Sequence, residues 1–403
     1  MPVMNSYMWK ITTVTAVASG LVTTAVTLYT SHCLGYGKRS ALPERKNSIA
    51  ELIGNTPMVK VSSLSKLTGA DIYAKLEMAN PGGSAKDRTA LAIIREFEAD
   101  GKLVPGRGDV VFEGTSGSTG ISFAMSCNSS GYTAHICVQS DASPEKIALL
   151  KSYGADVEKV KPASIVDPEQ YVNAARNGAK KLTADPTTKA QGVFADQFEN
   201  DVNWRIHFQT TGPEIWNQMR HKLDYFISGS GTGGTISGIA RYLKSQDPNI
   251  NVVLADPQGS GMYNRVKHGV MYDPVEKEGT RRRHQVDTIV EGIGLNRVTH
   301  NFLEGEDFID DSQRVTDEQA IKMARFLNSN DGLFVGASSS INAVVAARVA
   351  LKSKKGTQIV IIGCDSGARH LSKFWKEALK IPRDVSLEEI IDDAELASHI
   401  IGS

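Results

Sequence analysis

The segment Gly229-Ser-Gly-Thr-Gly-Gly-Thr235 packs four glycines into seven residues, between the apolar run Asp224–Ser228 and a helical pattern that continues through Lys244. A strand must give way to a helix here through a turn almost free of side chains. Glycine lets the backbone come close to a ligand, and a helix N-terminus offers free N–H donors and partial positive charge. With the hydroxyls of Thr232 and Thr235 added, the segment reads as a phosphate cradle. It also satisfies the dinucleotide spacing Gly229-x-Gly231-x-x-Gly234, and Asp256 closes the next strand where a ribose-binding acid would stand. On this segment alone a nicotinamide dehydrogenase remains open.

The rest of the chain repeats the alternation. Asp109–Phe112, Thr133–Val138, Asn251–Ala255 and Gln358–Ile362 read as strands. Ala90, Leu91, Ile94 and Phe97 form one apolar stripe along a helix over Asp87–Asp100, which Gly101 ends. Pro144–Tyr153 is a second helix. Thr316-Asp-Glu-Gln319 is a capping-box start for a third, through Leu327. Strands separated by helices imply an α/β fold of parallel sheets covered on both faces. The 403 residues, 41% hydrophobic, suffice for two lobes with a cleft between them. Ligands in such folds bind at the carboxyl ends of strands.

Other loops in those places carry chemistry. Asn80-Pro-Gly-Gly-Ser-Ala-Lys86-Asp-Arg88 sets a lysine at a helix start, against the positive end of the dipole. A lysine neutralised as a Schiff base fits there better than a charged one, although a lysine on a turn is ordinarily just solvated. Glu113-Gly-Thr-Ser-Gly-Ser-Thr-Gly120 offers hydroxyls and N–H groups to a carboxylate, or else simply caps its helix. Gly363-Cys-Asp-Ser366-Gly367 follows a strand, and Glu291-Gly-Ile-Gly294 is flanked by glycine.

Composition narrows the partners. Lys plus Arg and Asp plus Glu both number 45, so no net field argues for nucleic acid. The cluster Arg281–His284 reads as a solvated loop. The four cysteines, Cys33, Cys127, Cys137 and Cys364, lack metal-ligand spacing and fit a reducing compartment. Ile11–Tyr29 runs 19 residues without a charge, about 28 Å as a helix. A membrane anchor, a cleaved secretory signal and a mobile hydrophobic tail compete for it. Its length exceeds a signal core of ~7–15 residues, which favours a single-pass anchor over 1–32, followed by a polar linker at 33–46.

Taken together, these motifs resemble the fold-type II pyridoxal-phosphate enzymes. The similarity is to O-acetylserine sulfhydrylases (cysteine synthases) and the catalytic core of cystathionine β-synthases, over about Ile53 to Leu379. It includes Ile53-Gly-Asn-Thr-Pro57 and Thr210-Thr-Gly-Pro-Glu-Ile-Trp216. Fungal membrane-anchored cysteine-synthase-like proteins share the N-terminal hydrophobic span, and that span resembles signal anchors of the mitochondrial outer membrane. The resemblance implies two three-layer αβα lobes with the cofactor, pyridoxal 5'-phosphate, in the cleft. The large lobe would be 47–86 and 196–395, and the small mobile substrate lobe 87–195. It also implies a homodimer.

By position, Lys86 corresponds to the lysine that carries the cofactor. Gly231, Thr232, Gly233, Gly234 and Thr235 match the phosphate loop, Ser366 the residue bonded to the pyridine nitrogen, and Gly292 the glycine beside the ring. Thr115, Ser116, Ser118 and Thr119 match the substrate-carboxylate loop, with Gln197 as a further contact. Ser118 departs from the family pattern, which carries Asn there; one hydroxyl proton and a shorter reach bear on cofactor contact, substrate affinity and donor choice. A hydroxyl at Ser366 favours β-elimination and replacement, so the expected reaction is L-cysteine from O-acetyl-L-serine and sulfide. Cystathionine β-synthase, cysteine desulfhydrase or serine dehydratase chemistry and a non-catalytic cofactor-binding protein are the alternatives. Asp365-Ser366 and Pro81–Ser84 look more like the cystathionine β-synthase branch.

Overall fold

Side-chain alternation along the apolar strands decides the architecture. In β7 (Tyr225–Ser228), β8 (Asn251–Pro257) and β10 (Gln358–Gly363), neighbouring residues point to opposite faces. Both faces are apolar. Ile227, Val253, Ala255, Ile359 and Ile361 pack with the Asp317–Asp331 and Ala337–Lys352 helices. Phe226, Val252, Leu254, Val360 and Ile362 pack with Ile236, Ile239 and Leu243 of the Gly234–Gln246 helix. Strands apolar on both sides must be covered on both sides, and each large side chain so buried contributes about 1.5–3 kcal/mol.

The coordinates are a computed structural model and describe residues 44–401 apart from 116, 141, 143, 162, 164–166, 273–287, 394–395 and 397. The chain divides into Met1–Asn47 and Ser48–Ser403, and the fold is that of the second unit. The anchor expected over 1–32, most of the 33–46 linker and the basic cluster at 281–284 lie outside the described residues. No described helix is long and apolar enough to cross a membrane.

With β1 (Met58–Lys60), β2 (Asp71–Leu76) and β9 (Asp311–Val315), the larger sheet has the order β1-β2-β10-β7-β8-β9. Only β1 is antiparallel, and β10 lies centrally, with Ile361 opposite both Ala74 and Ile227. The second sheet is wholly parallel. Its order is β5-β4-β3-β6, from β3 (Val110–Gly114), β4 (Thr133–Gln139), β5 (Asp156–Val160) and β6 (Gly192–Phe194). Val111, Ile136 and Val138 face Ile93, Ile94, Ile121 and Phe123 of the Lys86–Ala99 and Ser118–Ser130 helices. Phe112 and Cys137 face Ala175 and Ala179 of the Tyr171–Thr183 helix. The expected mixed α/β fold with two sheets is present.

Element ends shift for local reasons. Asp109 precedes β3 because its carboxylate accepts from the Val104 and Gln191 backbones. Asp224 likewise precedes β7, accepting from Gln358 N. The helix expected to stop at Leu327 runs to Asp331, where Gly332 supplies the left-handed cap at φ 67°. Its capping box at Thr316 and Gln319 is formed.

Candidate active site

The cradle is built by contacts that exclude side chains. Gly233 sits at φ +91°, where a Cβ would lie 2.5 Å from Phe302 N. A Cβ on Gly231 would stand 2.2 Å from the Gly292 carbonyl oxygen. Thr232 is buried; its Oγ1 accepts from Asn203 Nδ2 (2.9 Å) and its carbonyl from Thr299 Oγ1 (2.8 Å). Thr235 Oγ1 lies 3.2 Å from His207 Nε2, whose Nδ1 meets Thr211 Oγ1 at 2.9 Å. Burial, with Arg88 and Lys86 nearby, holds His207 well below the usual imidazole range, so it is neutral. Ser230 Oγ is buried with no hydrogen-bond partner among the described residues. Such a polar orphan in a glycine turn at a helix N-terminus fits a phosphate. Gly231→Ala is expected to weaken pyridoxal-phosphate binding by about tenfold or more, since overpacking costs about 1–3 kcal/mol. Titration of cofactor into the stripped protein measures it.

Lys86 is the first residue of the Lys86–Ala99 helix. Its turn is tied down on both sides: Gly82 N donates to Asp87 Oδ2 (2.6 Å), Ala85 N to the Cys364 carbonyl (3.1 Å), and Ser84 bridges Asp365. Asp87 Oδ1 accepts from Ser122 Oγ of the carboxylate-loop helix at 2.5 Å. The Lys86 ammonium has no hydrogen bond among the described residues. Burial pushes its pKa below the ordinary lysine value, partly offset by Cys364, Asp365 and Glu77. Lowering the pKa raises the share of free amine, the nucleophilic form.

The carboxylate loop follows β3. Thr115 Oγ1 accepts from Gly117 N (3.2 Å), Ser118 Oγ donates to Asp365 Oδ2 (3.2 Å), and Thr119 Oγ1 donates to Gln197 Oε1 (2.7 Å). Ser116 lies outside the described residues. Gln197 also donates through Nε2 to Glu113 Oε1 (3.1 Å), and its carbonyl accepts from Asn203 Nδ2 (2.7 Å). Thr119, Gln197, Asn203 and Thr232 thus form one polar path from this loop to the cradle.

Burial pushes the Glu113 carboxyl up to about 8 from 4.5. Across that window the native chain holds a proton that the unfolded chain releases, so stability falls as pH rises from 4.5 to about 8. Glu113→Gln is expected to flatten that decline, as read from urea midpoints at pH values on either side of the window.

Ser366 follows β10. Its Oγ accepts from Ala368 N at 3.3 Å, which leaves the hydroxyl proton available to donate. Gly292, at φ +86°, has open space where its Cβ would be. The dehydrogenase alternative loses its acid: Asp256 is buried, and its Oδ2 accepts from Tyr263 N (2.7 Å) at the start of the Met262–His268 helix. Asn203, His207, Asp365 and His370 were not among the sequence candidates. Only Asp365, beside Ser366, carried a signal.

A family of the description "Pyridoxal-phosphate dependent enzyme" matches residues 49–365. A Saccharomyces cerevisiae protein carrying the provisional name mitochondrial cysteine synthase is 63% identical over 356 residues, 88% of this chain and 90% of that one. Cysteine synthase 2 of Schizosaccharomyces pombe is 57% identical over 331 residues, 82% of this chain and 84% of its own. Among solved structures, O-ureido-L-serine synthase superimposes with a TM-score of 0.69 at 29% identity, covering 88% of this chain and all of that one (100%). With this fold, a fitting cradle and these relatives, the chain belongs to the fold-type II pyridoxal-phosphate enzymes, in the cysteine synthase family.

Proposed function

We propose that the chain forms L-cysteine from O-acetyl-L-serine and sulfide, with pyridoxal phosphate held by Lys86, the Gly231–Thr235 loop and Ser366, Gly292 beside the ring and Ser118 at its edge. The observation that carries the reading is the Lys86 amine, half-buried and without a hydrogen-bond partner among the described residues, on a helix tied to the Cys364–Ser366 turn. When bound, pyridoxal phosphate takes up negative charge released at the substrate α-carbon.

Lys86 would hold the cofactor through Nζ, and the same atom, when free, would remove the substrate α-proton. A lowered pKa suits that task near neutral pH. Thr115, Ser116, Ser118, Thr119 and Gln197 orient the substrate carboxylate. Ser366 would hold the ring nitrogen by a hydrogen bond without giving it a full proton, so charge at the α-carbon would be stabilised less. Departure of the β-substituent together with the proton is the favoured route. Acetate leaves more readily than hydroxide, which selects the acylated serine.

Residues 87–195 act as a small lobe that closes over the substrate and excludes water, against a large lobe of 47–86 and 196–395. The chain works as a homodimer. The name of the S. cerevisiae relative supports a mitochondrial setting. The apolar span at 11–29 is the anchor we assign to the outer mitochondrial membrane.

Product analysis of the purified chain tests the chemistry. Cysteine from O-acetylserine and sulfide supports it. Cystathionine formed preferentially from serine and homocysteine, or sulfide released from cysteine, moves the chain to a sister activity. No product with any β-substituted alanine, from a protein that keeps its cofactor, makes it a binding protein.

A further inference from the structure

Ser118 has a single hydroxyl proton, and it is already committed. It points at Asp365 Oδ2 across 3.2 Å, joining the first residue of the Ser118–Ser130 helix to the turn after β10. The same Oδ2 lies 3.0 Å from His370 Nε2, and both Asp365 and His370 are buried. Asp365 also bridges Ser84, two residues before Lys86, and its carbonyl accepts from Gly336 N at 3.0 Å. Its Oδ1 is buried with no partner among the described residues. A Cβ on Gly336 would stand 2.0 Å from that oxygen, so the carboxylate is wedged against the start of the Ala337–Lys352 helix and has no room to swing away.

The charges around it favour an anion. Burial opposes ionisation, but His370, Arg369 and the Ser118 hydroxyl more than offset it and hold Asp365 below the usual carboxylate range. The charges of Lys86 and Cys364 also act on it, and Glu291 acts on His370. A hydroxyl bound to a carboxylate can only accept further hydrogen bonds. At position 118 the loop therefore offers lone pairs, not a donor, with a fixed negative charge one hydroxyl behind.

Resting on the proposed β-replacement, we infer that Asp365 is a positioning residue that sets substrate affinity: by holding the Ser118 proton, it loosens the grip of this loop on the amino-acid carboxylate. His370 tempers that effect by sharing the same oxygen. Replacing the carboxylate by an amide of the same shape weakens that hold, since a neutral oxygen accepts less strongly than a charged one, and lets the Ser118 proton turn to the substrate.

The test uses the full-length holoenzyme with Asp365→Asn and His370→Leu. Cofactor content is read from visible absorbance, and binding from the shift of that absorbance on titration with L-alanine, which has the carboxylate but no leaving group. Asp365→Asn is expected to keep its cofactor and to lower both the L-alanine Kd and the KM for O-acetylserine by about tenfold, with no gain in kcat. His370→Leu is expected to raise both. A purely structural role would raise them in both variants. An unchanged or raised Kd in Asp365→Asn overturns the inference. Loss of cofactor there also overturns it, by placing Asp365 in the cofactor cradle. If the unaltered protein makes no cysteine, the β-replacement reading falls, and the L-alanine titration still decides this one.

Discussion

Lys86→Ala is expected to lower cysteine formation by at least about a thousandfold and to yield a protein without the visible band of lysine-linked cofactor. Two functions fall together. Pyridoxal phosphate should still bind without the lysine, through the Gly231–Thr235 loop, Gly292 and Ser366. The proposed base is lost as well, and two polar groups of the site are already engaged. His207 is neutral but spent on Thr235 and Thr211, and Asp365 is bound to Ser118 and His370. Absorbance spectra and cysteine assays on the same preparations check both losses. Turnover within tenfold of the unaltered chain would remove Lys86 from the mechanism.

Arg88→Met is expected to destabilise the protein by about 3–5 kcal/mol, the cost of stranding a buried carboxylate. The Arg88 guanidinium donates to Glu77 through Nε (2.8 Å) and Nη2 (2.9 Å), and to Glu214 through Nη1 and Nη2 (both 2.7 Å). Lys75, fully buried, donates to Glu214 Oε2 at 2.6 Å and to the Thr56 carbonyl at 2.7 Å. Burial works against Glu214, yet Arg88 and Lys75 hold it down to about 2. Two cations meet two carboxylates, and removing one cation leaves an unbalanced charge beside Glu77, which is wholly buried. Arg88 is two residues beyond Lys86 on one helix, so the same variant should also bind cofactor less firmly. Urea unfolding with and without pyridoxal phosphate separates the two effects. Arg88→Lys should recover only part of the loss, because an ammonium cannot make the paired contacts.

This network explains motifs that sequence alone could only match by likeness. Asn55 N donates to Glu214 Oε1, and Thr56 Oγ1 to Glu77 Oε1, so Ile53–Pro57 and Thr210–Trp216 meet around Arg88. The glycine cradle could be read locally from its spacing, whereas Lys86, ordinary for a turn by itself, drew its expected role from the resemblance. Ser118 and Asp365 lie 247 positions apart, and nothing local announces that one holds the proton of the other. Strands were missed for a related reason. β5 and β9 are polar edge strands, and β6 has three residues, so none shows an apolar run. The Ala337–Lys352 helix is buried almost all round, and an apolar stripe cannot stand out where every face is covered.

The packing of Gly231 against Gly292, and of Gly233 against Phe302, has a meaning for descent. Any amino-acid replacement at these glycines adds at least a Cβ. The cradle is therefore poorly open to stepwise change, and variation in substrate is expected at Ser118, Asp365 and their neighbours instead.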